Sequence, residues 1–241
     1  MLKYKNFFTF LGLVGLIKII YNTNKKKKNY PRIIGITGYK RSGKDTIADY
    51  LVKHYGYKKL SFATPLKHIC KYLFDLTEKE LNGEYKEFPV YRYNNKSTRQ
   101  LLQFVGTDLF RDQLGKFINS VESVWVSFLR REIKKSWSDS NFLRKLFTSE
   151  ERYVIADVRF QDEVDFITEF GYTDGKVIKV VRKGKDGKKY SNDKHKSEQV
   201  DKLKDITMDI ENKGTLEELY KKVDEFMKYC DNNCKKGEAR Y

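Results

Sequence analysis

A chain of 241 residues can bury one sizeable core, and its 39% hydrophobic and 34% charged residues suit a folded protein, which argues against disorder throughout. The net charge of +16 is uneven, because residues 1–29 hold seven lysines and no acids; such a balance admits nucleic acid, a membrane surface or small phosphates as partners. Three cysteines, Cys70, Cys230 and Cys234, have no framework spacing, and C-x3-C without a second pair or a nearby histidine argues against a zinc site and for a reducing compartment.

Residues 7–21 are apolar except for Thr9 and Lys18, and four lysines follow at 25–28. Fifteen residues fall short of the ~20 that a membrane span needs. No small-residue cleavage site follows. A short signal-anchor, an interfacial helix and a leader outside the domain all remain open, so membrane contact of residues 1–29 is an open expectation. Residues 1–30 are read as leader and linker, and 31–241 as one domain.

Within that domain "RIIGITG" (32–38) is a β-branched apolar run ending in glycine, the signature of a buried parallel strand. A loop, 38–44, leads into a helix over 44–56, with Ile47, Tyr50, Leu51, His54 and Tyr55 on one face and Gly56 as its C-cap. A strand is expected over 57–63, then a helix over 64–76 with Thr64 as N-cap and Pro65 as its first residue. Residues 77–97 read as an irregular polar insertion. Residues 98–115 read as a helix broken or capped near Gly106, and 121–137 as a second helix with a basic end. A basic connection (138–151), a strand (152–160), a helix ending in glycine (161–171), a strand (176–182), a mobile basic loop (183–196), a strand (206–212) and a helix (214–230) complete the chain. This alternation predicts an α/β fold, a doubly wound parallel sheet with flanking helices.

The stretch "GITGYKRSGKDT" (35–46) contains G-x4-G-K, most of a phosphate-binding P-loop. A strand, a glycine loop and a helix N-terminus form an anion site from backbone amides and the helix dipole. Gly38 and Gly43 allow the backbone to approach a phosphate closely. Lys44 supplies a point charge to the transferring phosphates. Asp45 stands where the pattern wants a hydroxyl, and Thr46 comes one residue late, which leaves the Mg²⁺ ligand open between them. Lys40 and Arg41 would repel one another unless an anion sat in the loop. Ligands of such sheets bind at the carboxyl ends of the strands. That places Lys67, Asp157 and Arg159 near the loop, with Asp157 read either as a carboxylate contacting Mg²⁺ or substrate, or as a helix cap. Arg99 and Arg111 flank "GTD" (106–108), and periodicity puts Trp125 in the core.

These blocks, with "SFATPLK", "RQLLQFVGTDLFRD", "VWVSF", "DVRFQDEVD", "VIKVVR", "SNDKHKSE" and "DIENKGTLEELYKKV", resemble in content and order the deoxynucleoside monophosphate kinases of phages and large DNA viruses, over about residues 32–229. The resemblance implies a P-loop kinase fold and transfer of the ATP γ-phosphoryl to a deoxynucleoside monophosphate (dNMP). Its ATP and magnesium contacts would map onto Gly38, Arg41, Ser42, Gly43, Lys44, Asp45, Thr46 and Ile47, with Lys44 and Arg41 stabilising the transferred charge. Its acceptor contacts would map onto Lys40, Leu66, Lys67, Arg99, Gly106, Thr107, Arg111, Trp125, Asp157, Arg159 and Glu163. Arg182 and the loop after it would lie near the nucleotide. The expected partner is a small nucleotide rather than nucleic acid, the expected compartment is the cytoplasm, and a homodimer stays open. Two rivals remain: a P-loop kinase of another small phosphorylated acceptor (phosphomevalonate or dephospho-coenzyme A kinase-like), and a non-enzymatic basic nucleic-acid or membrane-surface binder.

Overall fold

The computed structural model describes residues 28–138, 151–169, 175–182 and 195–233. The apolar leader, most of the basic connection, the glycine expected to end the 161–171 helix, the basic loop 183–194 and Cys234 lie outside the described residues.

The first strand, β1 (Ile33–Thr37), is buried at every position. It leads through the glycine loop into α1 (Lys44–Tyr55), which Gly56 ends in the left-handed conformation with its amide on the Leu51 carbonyl. Next come β2 (Lys58–Leu60) and α2 (Thr64–Phe74). Residues 77–97 hold α3 (Glu78–Asn82), a 3₁₀ turn, and a two-residue hairpin of β3 (Pro89–Val90) and β4 (Lys96–Ser97). Then α4 (Thr98–Gln103) runs without a break through a π-helical stretch (Phe104–Leu114) into α5 (Gly115–Phe117). After α6 (Val124–Ser138) come β5 (Tyr153–Ile155), α7 (Gln161–Glu169), β6 (Lys176–Val181), β7 (Met208–Glu211) and α8 (Leu216–Asn233).

The five main strands form one parallel sheet in the order β2-β5-β1-β6-β7, so β1 is central. Alternation along β1 divides the core. Ile34 and Ile36 pack with Ile47 and Leu51 of α1 and with Leu219, Val223 and Phe226 of α8. Ile33 faces the other layer, with Leu66 of α2, Leu129 and Ile133 of α6, and Val164 and Ile167 of α7. Gly35 shares that second face: a Cβ there would stand 2.6 Å from Ile167 Cδ1, so the glycine sets how closely α7 lies on the sheet. Each of these fully buried aliphatic side chains contributes about 1.5–3 kcal/mol.

The expected doubly wound α/β sheet is present, and several local expectations need correction. Thr64 is the first helical residue and Pro65 the second; the N-cap is Ala63, whose side chain cannot cap. Instead the Asp157 carboxylate, just past β5, holds the amides of Phe62 and Ala63 ahead of the helix. The insertion 77–97 is ordered, opened by a capping box in which the Thr77 hydroxyl and the Glu80 carboxylate each accept the other residue's amide. Gly106 does not break its helix, because the wider π turn carries the chain past it. On α1 the buried face uses Ala48, while His54 is exposed and stacks on Tyr50. Strands β2 and β5 are shorter than their runs because each pairs over only three residues, Lys58–Leu60 with Tyr153–Ile155; beyond them both chains turn into the site.

Candidate active site

The phosphate loop is shaped by three residues at positive φ: Gly38 (141°), Arg41 (59°) and Gly43 (108°). The glycines adopt this without cost, whereas Arg41 adopts it under strain of the kind found at ligand clamps. A Cβ on Gly38 would meet the Val180 carbonyl at 2.5 Å, and one on Gly43 would meet Asn212 Nδ2 at 2.5 Å. Asn212, just past β7, donates from Nδ2 to the Ser42 carbonyl at 2.8 Å. Arg182 reaches the Arg41 carbonyl at 3.4 Å. No side chain caps the first turn of α1. Its leading amides therefore remain available to an anion. The Ser42 hydroxyl is buried with no hydrogen-bond partner among the described residues.

Lys44 is buried, its ammonium donating to the Gly38 and Tyr39 carbonyls at 2.8 and 2.7 Å. Burial, aided by the nearby Arg159 charge, lowers its pKa to about 8. A phosphate there would relieve both penalties. Asp45 is exposed and pairs with Lys59 at 2.9 Å. Thr46 is half-buried beside it. The Ile47 side chain lies wholly in the core and its amide donates to Gly43, so it turns no group toward the loop.

The loop opens into a cleft of about 970 Å³ that gathers the rest of the predicted set. Lys40, Arg41, Lys44, Asp45, Leu66, Lys67, Arg99, Gly106, Thr107, Arg111, Trp125, Asp157, Arg159 and Glu163 all line it. Gly38, Ser42, Gly43, Thr46 and Ile47 do not face the cleft; the two glycines and Ser42 build the loop behind it.

Asp157 accepts from the Ser61 hydroxyl (2.6 Å) and from the amides of Phe62 (3.1 Å) and Ala63 (2.9 Å). It thus supplies the cap that the start of α2 lacks, and still lines the cleft. Glu163 is 3% exposed and accepts from the Arg159 amide at 2.7 Å, the Phe160 amide at 3.2 Å and Arg111 at 2.5 Å. Burial pushes its pKa up, against the pull of the Arg111 charge. The same guanidinium pairs with Asp162 at 2.5 Å and lies 3.8 Å over the Phe160 ring. Arg111 and Glu163 therefore brace the wall, and each has its charge engaged within the protein. Trp125 is buried as its periodicity predicts, 7% exposed with Nε1 donating to the Gly106 carbonyl at 2.9 Å, and it also borders the cleft. A Cβ on Gly106 would stand 2.5 Å from Leu66 Cδ2, so the glycine lets α2 approach the π-helical stretch.

Sequence reasoning missed four contributors. Glu198, 3% exposed, receives Arg99 (2.6 Å) and Arg159 on one carboxylate oxygen. Glu87 pairs with Lys40 at 2.6 Å and stands 3.6 Å from Arg99. Lys86 projects into the cleft beside them, and Asn212 buttresses the loop. Glu198 and Asn212 lie inside blocks that carried the resemblance, but nothing local marks them. Among the described residues no group of three or more His, Cys, Asp or Glu could hold a metal ion, and no helix is long and apolar enough to cross a membrane.

A family model described as deoxynucleotide monophosphate kinase matches residues 32–91 and 83–223. The chain is 36% identical over 195 residues to a protein of Acanthamoeba polyphaga mimivirus named as a candidate deoxynucleotide monophosphate kinase, covering 79% of this chain and 93% of that one. It is 26% identical over 247 residues to the deoxynucleotide monophosphate kinase of Enterobacteria phage T4, covering 82% and 99%. It is 24% identical over 249 residues to that of Escherichia phage RB69, covering 81% and 99%.

Proposed function

The chain belongs to the deoxynucleotide monophosphate kinase family, and from that premise we propose that it phosphorylates deoxynucleoside monophosphates with ATP. One observation supports this most: a single cleft joins the phosphate loop around Lys44 to a second cationic cluster around Arg99 and Arg159. Two polyanions can meet there end to end.

In the reaction a phosphate oxygen of the acceptor attacks the γ-phosphorus of ATP. The bond from that phosphorus to the β–γ bridging oxygen breaks, and ADP leaves with the electron pair. The acceptor phosphate is ionised at neutral pH, so no strong general base is required. The protein's part is alignment and charge stabilisation. The loop amides, Lys44 and Arg41 bind the ATP phosphates. Arg159 lines the same cleft, and its charge acts on both Lys44 and Lys86. Glu198 fixes its guanidinium and that of Arg99. Lys40, Lys67 and Arg99 face the acceptor, with Leu66, Gly106, Thr107 and Trp125 beneath its base.

Magnesium, when bound with ATP, would neutralise charge on the β- and γ-phosphates. A sparse set of protein oxygens suits that ion, which keeps water and phosphate ligands; Asp45, which lines the cleft, and Thr46 beside it are the candidates, Thr46 only if its hydroxyl turned toward the bound nucleotide. Residues 31–241 act as one kinase domain, working in the cytoplasm where both nucleotides are found.

Assay of ATP and Mg²⁺ with dGMP, dTMP, dCMP and dAMP tests the proposal. The expected result is ADP formation dependent on at least one dNMP, reduced about a hundredfold or more in Lys44→Met. Transfer to mevalonate phosphate or dephospho-coenzyme A but to no dNMP would overturn it, as would a function that survives Lys44→Met unchanged.

A further inference from the structure

The acceptor end of the cleft has an uneven charge balance. Arg99 and Arg159 share Glu198, and Lys40 is paired with Glu87. Lys67 donates to the neutral Asn82 side chain at 2.6 Å. Lys86 lines the same cleft with neither an ion pair nor a hydrogen bond among the described residues. Its strongest charged neighbours after burial are Lys67, Arg159 and Arg99, all of its own sign. Burial and these cations lower its pKa to about 8. A half-buried ammonium in such company is costly unless an anion joins it.

Its backbone setting explains why it stays there. Gly83 starts the 3₁₀ turn at 84–87, and the turn closes with the Phe88 amide on the Tyr85 carbonyl at 3.1 Å. The next residue, Glu87, reaches across to Lys40 of the phosphate loop with the oxygen that also faces Arg99. That contact ties the turn to the rim and holds Lys86 toward the interior.

We propose that Lys86 binds the 5′-phosphate of the acceptor, together with Lys67, Arg99 and Arg159. A phosphate monoester carries about −1.5 to −2 charge at neutral pH. Lys67 and Lys86 are the two cations of this cluster without an acidic partner among the described residues, so their charges match that demand. The ordered insertion 77–97 is on this reading a working wall of the acceptor site. The inference rests on the dNMP kinase function proposed above and deepens it.

The test compares the full chain with Lys86→Met and Lys86→Arg. Michaelis constants are measured for the best dNMP and for ATP, and binding of that dNMP is compared with binding of its deoxynucleoside, which lacks the phosphate. Lys86→Met is expected to raise the dNMP constant at least tenfold and to leave that of ATP within twofold. Deoxynucleoside binding should not change, and Lys86→Arg should recover most of the loss. An unchanged dNMP constant would overturn the inference. So would an equal rise for ATP, an equal loss of deoxynucleoside binding, or a large drop in melting temperature in Lys86→Met. A wild-type chain that phosphorylates no dNMP would instead refute the function on which the inference rests.

Discussion

The side chain of Asn212 holds the carbonyl of Ser42, so the strand at one edge of the sheet supports the loop at its centre. The two residues are 170 positions apart. The contact fixes a loop that already holds Arg41 in the left-handed region, and it fills the space where a Gly43 side chain would go. Asn212→Ala is expected to raise the Michaelis constant for ATP several-fold and to lower turnover, with little effect on the acceptor constant. Gly43→Ala, which adds a direct clash at φ 108°, should be far worse. Steady-state kinetics against both substrates checks the order.

Lys44 makes ATP binding sensitive to pH. Its pKa in the folded protein is about 8, below the ordinary 10.5, because it is buried. A bound polyphosphate favours the charged form and raises that value. Above about pH 8 binding should therefore take up close to one proton at this site, and affinity should fall by up to tenfold per pH unit until the bound-state value is passed. Calorimetry in buffers of different ionisation enthalpy measures the uptake, which Lys44→Met should abolish. The protein without nucleotide behaves in the opposite sense. A depressed lysine pKa means that the unfolded chain holds more protons between pH 8 and 10.5, so this group's contribution to stability improves across that window as pH rises.

Asp157, just past β5, holds the amides that open α2. Removing a cap costs about 0.5–2 kcal/mol. Asp157→Ala should therefore lower the melting temperature by about 1–8 °C, and Asp157→Asn by less. A role confined to substrate or metal would leave the melting temperature of the ligand-free protein unchanged, and scanning calorimetry separates the two.

Arg111 and Glu163 form a buried pair that the resemblance assigned to the acceptor. Their partners lie within the protein, so Arg111→Met should cost about 3–5 kcal/mol by leaving Glu163 buried without its cation. Glu163→Gln should cost less, because Arg111 keeps Asp162. Urea unfolding of the two variants gives the comparison.

The donor side was legible because its signals are local. A β-branched run, two glycines with a lysine and a helical periodicity sit within twenty-five residues, and each is enforced by backbone sterics. The sheet class followed from the alternation of strands and helices. What escaped was set by contacts across the fold. Glu198 reads as one more surface acid in a lysine-rich stretch until Arg99 and Arg159 close on it. Thr64 looked like a cap because Thr-Pro usually is one, but the carboxylate of Asp157 displaced it. The polar composition of 77–97 hid a capping box and a hairpin too short to show periodicity. The run through Gly106 reads as a helix broken or capped there because glycine weakens a helix, whereas in the structure the glycine makes room for Leu66.

The central strand carrying the ATP loop has neighbours on both sides and no exposed residue. The insertion proposed to wall the acceptor is made of a five-residue helix, 3₁₀ turns and strands of two residues. Local opening of such short elements takes far less free energy than opening a sheet core. Substitutions in that wall can therefore accumulate with little penalty to folding, and the grip on the acceptor phosphate can be retuned while the phosphate loop stays the same.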